Sequence, residues 1–167
     1  MIFLETDRLI LRNLSSCDAE IMYDYRNHER CAKYQRGQTK DLEGIKSLIQ
    51  SHLQDQITTE STFIVAVALK NTNEMIGEIV IMPNDGAITL GYTFSYRYHH
   101  MGYGYEALST FIQHLHQQYP EWEFICFTDV NNTASIALLR KLGYQDLGYA
   151  PKIDSQVFGK WINSEIL

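Results

Sequence analysis

Two periodicities divide the chain. Leu108, Phe111, Ile112 and Leu115 recur at helical spacing over Gly104–Gln117, and Leu42, Ile45, Leu48, Ile49 and Leu53 do so over Asp41–Leu53. Each stretch predicts a helix with one apolar stripe. Phe63–Leu69 is instead a continuous apolar, β-branched run and reads as a strand. The polar turn Lys70–Glu74, the run Met75–Met82, the turn Pro83-Asn84-Asp85-Gly86 and the run Ala87–Ser95 follow it. Connections that short permit only an antiparallel meander, because parallel neighbours need a long crossover.

Ahead of the meander, Arg8–Leu14 predicts a first strand, with Leu9, Ile10 and Leu11 between arginines. Ser15, followed three residues later by Asp18, is an N-cap arrangement opening a helix through Tyr25. Beyond it, Phe124–Asp129 predicts a strand and Thr133–Leu142 a helix stopped by Gly143. Strands near Gln145–Ala150 and Gln156–Ile162 finish the chain. The order β-α-α-β-β-β-α-β-α-β-β implies a mixed α/β (α+β) sheet of about seven strands with about four helices. The helix after residue 104 makes its one clear β-α-β crossover.

Composition narrows the function. The 167 residues predict a single domain over 1–167, and 45% hydrophobic with 20% charged residues is ordinary for a globular protein. A net charge of -6 without clustered Lys and Arg argues against nucleic acid and suits a cationic substrate such as an amine. The longest apolar run, Phe63–Leu69, is far short of a membrane span, and Met1–Glu5 carries no signal-peptide pattern. Cys17, Cys31 and Cys126 lack zinc-site spacing, and the histidines form no H-x-x-x-H, so no metal is expected. Isolated thiols fit a cytoplasmic location.

The most informative stretch runs from Tyr96 to Ala107, between a strand and the start of an amphipathic helix. The first N–H groups of a helix lack intrahelical partners, and the macrodipole adds positive charge there. A diphosphate satisfies both, and Gly102 and Gly104 let its oxygens approach the backbone of Met101–Tyr105. Two other readings stand beside this one. The glycines can form a plain turn and N-cap. Gly102-x-Gly104-x-x-Ala107 also fits a dinucleotide fingerprint, with Glu121 and Glu123 the expected ~20 positions on. A hairpin meander before the turn, and the little chain after it, disfavour a doubly wound sheet. In a second stretch, Asp129–Tyr144, Asn132 caps a helix and offers its amide to a peptide-like ligand.

Together these stretches resemble the GCN5-related N-acetyltransferase (GNAT) superfamily, in its ribosomal-protein N-acetyltransferase (RimJ/RimL-like) branch. Glu5-Thr6-Asp7-Arg8-Leu9-Ile10-Leu11-Arg12 resembles that branch's opening strand, and His99–Ala107 its pyrophosphate motif Q/R-x-x-G-x-G/A. Asn132–Ser135 through Lys141-Leu142-Gly143-Tyr144 resembles N-x-x-S…K-L-G-F/Y, and Gly91-Tyr92 falls where the fourth strand usually carries Gly-Tyr. The resemblance spans essentially the whole chain. It implies a GNAT fold whose fourth and fifth strands splay apart to hold acetyl-CoA as cosubstrate.

Carried over residue by residue, it implies that the backbone of Phe94 and Ser95 meets the pantetheine. His99 and the Met101, Gly102, Tyr103, Gly104 and Tyr105 segment would hold the pyrophosphate, with Asn132 on the pantetheine and Ser135 near the sulfur. The reaction would be direct attack of an amine on the thioester through a tetrahedral intermediate. Glu78 is the candidate base, against a plain reading as a solvated carboxylate; Ser135 is the candidate acid or thiolate donor. Tyr144 and Tyr149 are reserves. Three positions depart from the pattern: His99 replaces Gln or Arg, His100 replaces a glycine, and Leu139 replaces a tyrosine acid. They motivate an alternative, a non-catalytic CoA-binding sensor or interaction module. The acceptor, a small amine or a protein N-terminus, would sit against the first two helices and the loop at Tyr34–Gln38, and a homodimer is possible on family grounds.

Overall fold

The chain begins with two strands where the pattern predicts one. In the computed structural model, which describes residues 1–163, β1 (Ile2–Glu5) pairs antiparallel with β2 (Leu9–Arg12). Positions 164–167 of the expected domain lie outside the described residues. β1 is a half-exposed edge strand, so it has no buried face to write a pattern into the sequence. Leu9 and Leu11 of β2 are fully buried.

Ser15 and Asp18 form the expected capping box, around a short 3₁₀ turn at Ser16–Asp18. The Asp18 carboxylate accepts from Ser15 N–H at 2.7 Å and from both terminal nitrogens of buried Arg12 at 2.9 and 3.0 Å. Helix α1 (Ala19–Asn27) follows, then α2 (Glu29–Ala32) and α3 (Leu42–His52). The sequence pattern misses α2, because four residues are too few to display a helical period. His28 ends α1 in extended backbone and starts α2 by accepting the Arg30 N–H on Nδ1 at 3.2 Å.

The meander is antiparallel as predicted: β3 (Phe63–Leu69), β4 (Met75–Asn84) and β5 (Ala87–Phe94). β4 runs through Pro83, and the turn shrinks to Asp85-Gly86, both at positive φ (48° and 84°), as a tight hairpin requires. Pro83 is tolerated because β3 has already ended at Phe63↔Ile81, so no neighbour waits for its missing N–H. Helix α4 (Tyr103–Gln118) then crosses over to β6 (Glu123–Thr128), parallel to β5. α5 (Thr133–Lys141), β7 (Gln145–Ala150) and β8 (Ser155–Lys160) complete an eight-stranded sheet in the order β1-β2-β3-β4-β5-β6-β8-β7.

Two cores flank the sheet. Leu108, Phe111, Ile112 and Leu115 of α4 pack on Val65, Val67, Ile79 and Ile81, joined by Leu139 and Leu142 beside α5. On the other face, Met22 and Tyr25 of α1 and Ile45 and Ile49 of α3 cover Ile64 and Ala66. The predicted stripes of both long helices are therefore the buried faces. Among the described residues no helix is long and apolar enough to cross a membrane.

β5 and β6 pair over Ala87↔Glu123, Ile88↔Phe124 and Thr89↔Ile125, and then separate. Because β1 precedes the rest, these are the strands anticipated as the splayed fourth and fifth. Their divergence is the feature that positions the site.

Candidate active site

A cavity of about 680 Å³ occupies the gap between the diverging ends of β5 and β6. Leu90–Phe94 line one side, Cys126–Asp129 the other, and the starts of α4 and α5 close its ends. Which backbone groups face it follows from the β4–β5 register. Ser95 N–H donates to Ile76 C=O at 2.7 Å, so the backbones of Thr93 and Gly91 also turn toward β4, and those of Phe94 and Tyr92 turn toward the gap.

This alternation corrects one expectation. Ser95 is buried, its C=O accepts from Tyr98 N–H at 2.9 Å, and its Oγ accepts from Arg97 N–H at 3.4 Å. Its polar groups are committed and it does not line the cavity; the strand residues that offer backbone to the gap are Tyr92 and Phe94. The Phe94 carbonyl accepts from His99 Nε2 at 2.7 Å and from the Cys31 thiol at 3.3 Å. Desolvation pushes the Cys31 thiol up and keeps it protonated as a donor.

Gly102, Tyr103, Gly104 and Tyr105 line the opposite end, where α4 begins. The N-cap is Gly102 at φ +81°, in the left-handed region, and it offers no capping side chain. The first helical bond is Glu106 N–H to Gly102 C=O, so the preceding N–H groups have no intramolecular acceptor among the described residues. Met101, expected in the same segment, does not line the cavity: it is exposed, and its C=O accepts from Arg8 Nη1 at 3.0 Å. His100 sits at φ +63°, so the turn holds a side chain in a conformation that favours glycine.

The start of α4 is anchored from the far end of the sheet. The Glu106 carboxylate accepts from Thr6 Oγ1 at 2.6 Å, Arg8 N–H at 3.0 Å and Arg8 Nε at 2.7 Å. The Arg8 guanidinium also lies 4.3 Å from the Tyr103 ring centroid. Burial works to raise the Glu106 pKa, but the bonds from Thr6 and Arg8 outweigh it and hold the carboxyl below its ordinary value. The Thr6…Arg8 segment is thus a clamp on the turn that starts α4.

From α5, Asn132 Oδ1 caps the helix by accepting Ser135 N–H at 3.2 Å, and both residues line the cavity. Ser135 Oγ meets the Tyr92 hydroxyl at 2.8 Å. Leu139, one turn further along α5, is buried in the core. Tyr144 is buried with a hydroxyl that has no hydrogen-bond partner among the described residues, and Tyr149 binds Asp154 Oδ1 at 2.5 Å away from the cavity. Desolvation pushes Cys126, on the wall formed by β6, up to about 12, so it is an unreactive thiol.

Glu78 lies elsewhere. It is 2% exposed, on the α1 face of β4, with one carboxylate oxygen on Arg26 Nη2 and the other on the Tyr25 hydroxyl. Neither a solvated carboxylate nor a group on the cavity wall, it ties α1 to the sheet. Burial pushes the Tyr25 phenol well up, reinforced by the neighbouring Glu78 charge, so Tyr25 remains the donor.

The wall is completed by residues to which the sequence assigned no role in holding the cosubstrate. Arg30, Cys31, Tyr34, Gln35 and Arg36 come from α2 and the loop after it, which sits over the end of β5. Of these, the sequence indicated only Tyr34–Arg36, as part of an acceptor loop. Lys141 faces the cavity with its ammonium 4.2 Å from the Tyr105 ring centroid. No cluster of His, Cys, Asp and Glu that could hold a metal occurs among the described residues.

Two stability predictions follow from this geometry. Glu78→Gln leaves Arg26 as a buried charge without a counter-charge and should cost about 3 kcal/mol in urea unfolding, with the m-value unchanged. His100→Gly relieves a left-handed side chain and should raise stability by about 0.5–1 kcal/mol, read as a higher urea midpoint.

Comparison with known proteins agrees with this architecture. The GNAT-family acetyltransferase from Bacillus anthracis superposes with a TM-score of 0.79 at 19% identity, covering 95% of this chain and 96% of that one. RimL, a ribosomal L7/L12 α-N-protein acetyltransferase in complex with coenzyme A, gives 0.81 at 15% identity, covering 96% and 97%. The ribosomal-protein-S5-alanine acetyltransferase from Vibrio fischeri gives 0.78 at 20% identity, covering 97% of each. A search of curated protein sequences finds no match. The sequence model of the acetyltransferase (GNAT) domain matches residues 8–145, from the Arg8 clamp through α4 and α5 to the start of β7. A domain match of that extent, on a sheet that opens between β5 and β6 beside an uncapped helix, places the chain in the GNAT acetyltransferase family.

Proposed function

We propose that this chain moves the acetyl group of acetyl-CoA to a primary amine, either the α-amine of a protein N-terminus or a small amine. Acetyl transfer itself comes with the family; the cosubstrate's seat, the acceptor class and the residue roles are the proposal. One observation carries it. The unpartnered N–H groups that start α4 open onto the same cavity as the gap-facing backbone of Tyr92 and Phe94 and the Ser135 hydroxyl. An anion seat, an extended-chain edge and a hydroxyl in one groove suit a diphosphate, an amide-bearing arm and a thioester in that order.

Gly104 supports the reading. A Cβ there would meet the Phe94 ring at 3.5 Å and Leu138 at 3.7 Å, which is ordinary contact. Packing therefore does not demand a glycine in this helical position, whereas close approach of phosphate oxygens does. Lys141 adds positive charge to the same wall.

In the transfer, the amine nitrogen attacks the thioester carbonyl, the C–N bond forms and the C–S bond breaks. The N–H groups of Tyr92 and Phe94 that face the gap are placed to stabilise the developing oxyanion. Ser135 Oγ–H donates to the departing sulfur. Asp129 is the acidic side chain on the wall, and Arg36 engages it at 3.5 Å. With Glu78 held by Arg26 and Tyr25, the amine proton leaves to water through the open groove. The RimJ/RimL-like resemblance, together with neighbours named for ribosomal-protein N-termini, supports a protein α-amine as acceptor.

Acetyl-CoA at about 100 times its Kd should stabilise the protein by about 2.7 kcal/mol, seen as a rise in melting temperature that NAD(H) and NADP(H) do not produce. Thiol release in the presence of an amine should follow. A folded protein unmoved by acetyl-CoA would overturn the proposal, and binding without turnover over a broad amine panel would favour a CoA-binding module. Gly104→Ala separates structure from function: stability should rise by about 0.5–1 kcal/mol while acetyl-CoA affinity falls.

A further inference from the structure

Position 139 carries a leucine, buried in the core, so α5 presents no phenol to the cavity one turn after Ser135. A phenol arrives from the opposite side. Tyr92, on the β5 wall, places its hydroxyl 2.8 Å from Ser135 Oγ, and both side chains line the groove. We infer that Tyr92 is a positioning residue for thiolate departure: it donates its proton to Ser135 Oγ and thereby leaves the Ser135 proton directed at the sulfur. The inference rests on the acetyl-transfer reading for its role in turnover, and on the hydrogen-bond geometry for its direction.

The direction follows from acidity. A phenol is a far stronger hydrogen-bond donor than an aliphatic hydroxyl, and a hydroxyl oxygen accepts while its own proton goes elsewhere. The Ser135 N–H is already engaged by Asn132, so that bond fixes the start of α5 and the Tyr92 bond fixes the side chain. Desolvation pushes the Tyr92 phenol well up, so it stays protonated across the working range. Neither hydroxyl gives up its proton. A thiol near pKa ~8.5 is a stronger acid than either, so the pair stabilises the thiolate by hydrogen bonding. Sulfur keeps the electron pair of the broken C–S bond and takes a proton from solvent after release.

The test reads the thiol directly. Free CoA is bound to the protein and its thiol titrated by ultraviolet absorbance, a measurement that needs no acceptor. In the wild-type protein the bound thiol should titrate about one unit below free CoA. Arg30, Arg36 and Lys141 line the same cavity and lower a thiol pKa, and Asp129 on the same wall raises it, whatever Tyr92 does, so the decisive quantity is the difference between variants. In Tyr92→Phe a large part of the shift should disappear, Ser135→Ala should lose as much, and the double variant should lose no more than Ser135→Ala alone.

In turnover, Tyr92→Phe should lower kcat about tenfold with the KM for acetyl-CoA held within about twofold, and Ser135→Thr, which keeps a hydroxyl, should retain most of the rate. A bound thiol that titrates like free CoA in the wild type, or identically in Tyr92→Phe, overturns the inference. A fall in affinity with unchanged thiol pKa also overturns it, because that is what mere packing predicts. A Tyr92-dependent thiol shift without turnover of any amine supports the inference and defeats the acetyl-transfer reading alone.

Discussion

A strand in the middle of a sheet carries hydrogen-bonding groups on both edges, and β5 has a full neighbour on only one. β4 pairs with it along its whole length, from Asn84↔Ala87 to Gly77↔Phe94, while β6 leaves after Thr89↔Ile125. Backbone polar groups inside a protein do not stay without partners. The gap-facing carbonyls are met by side chains instead: Tyr92 C=O by Gln35 at 3.5 Å, and Phe94 C=O by His99 and Cys31. The opening is therefore an unfinished sheet edge, which in the proposed function the amide-bearing arm of the cosubstrate completes. The placement of α2 follows from the same demand, since Cys31 and Gln35 come from it and the loop behind it.

The second seat follows a matching logic at the start of α4. A helix normally begins with a side chain that consumes its free N–H groups. Here the N-cap is glycine, and the nearest carboxylate, Glu106, is occupied by Thr6 and Arg8. The positive end of the helix thus stays open toward the cavity. His100 at positive φ shows that this turn keeps its shape at a conformational cost.

Buried charge organises the other face. Arg12 with Asp18, and Arg26 with Glu78 and Tyr25, join β2, β4 and α1 beneath the helices. Such pairs add little net stability but are expensive to break, so they favour one arrangement of α1 over its alternatives. Glu78 shows how this misleads a reading of strand position alone. Its strand lies next to β5 but contributes no residue to the cavity wall, and its side chain is held on the α1 face by a guanidinium that arrives from 52 residues earlier.

Elements with a long period were legible without coordinates: both long helices, the meander, the α4 crossover and the glycine turn at its start. Hydrophobic periodicity and turn chemistry are local, and a chain segment carries them whatever it packs against. β1 and α2 were not legible, because one is half exposed and the other spans a single turn. Nor was the way side chains from separate segments meet. That Ser95 is spent on β4, that Glu78 is an ion-pair member, and that Tyr92 reaches Ser135 across 43 residues depend on strand register and on which face each side chain takes. The sequence by itself determined the long-period elements and the family resemblance; only the tertiary structure decided which polar groups meet in the gap between β5 and β6, because a one-residue change of register sends every side chain to the other face.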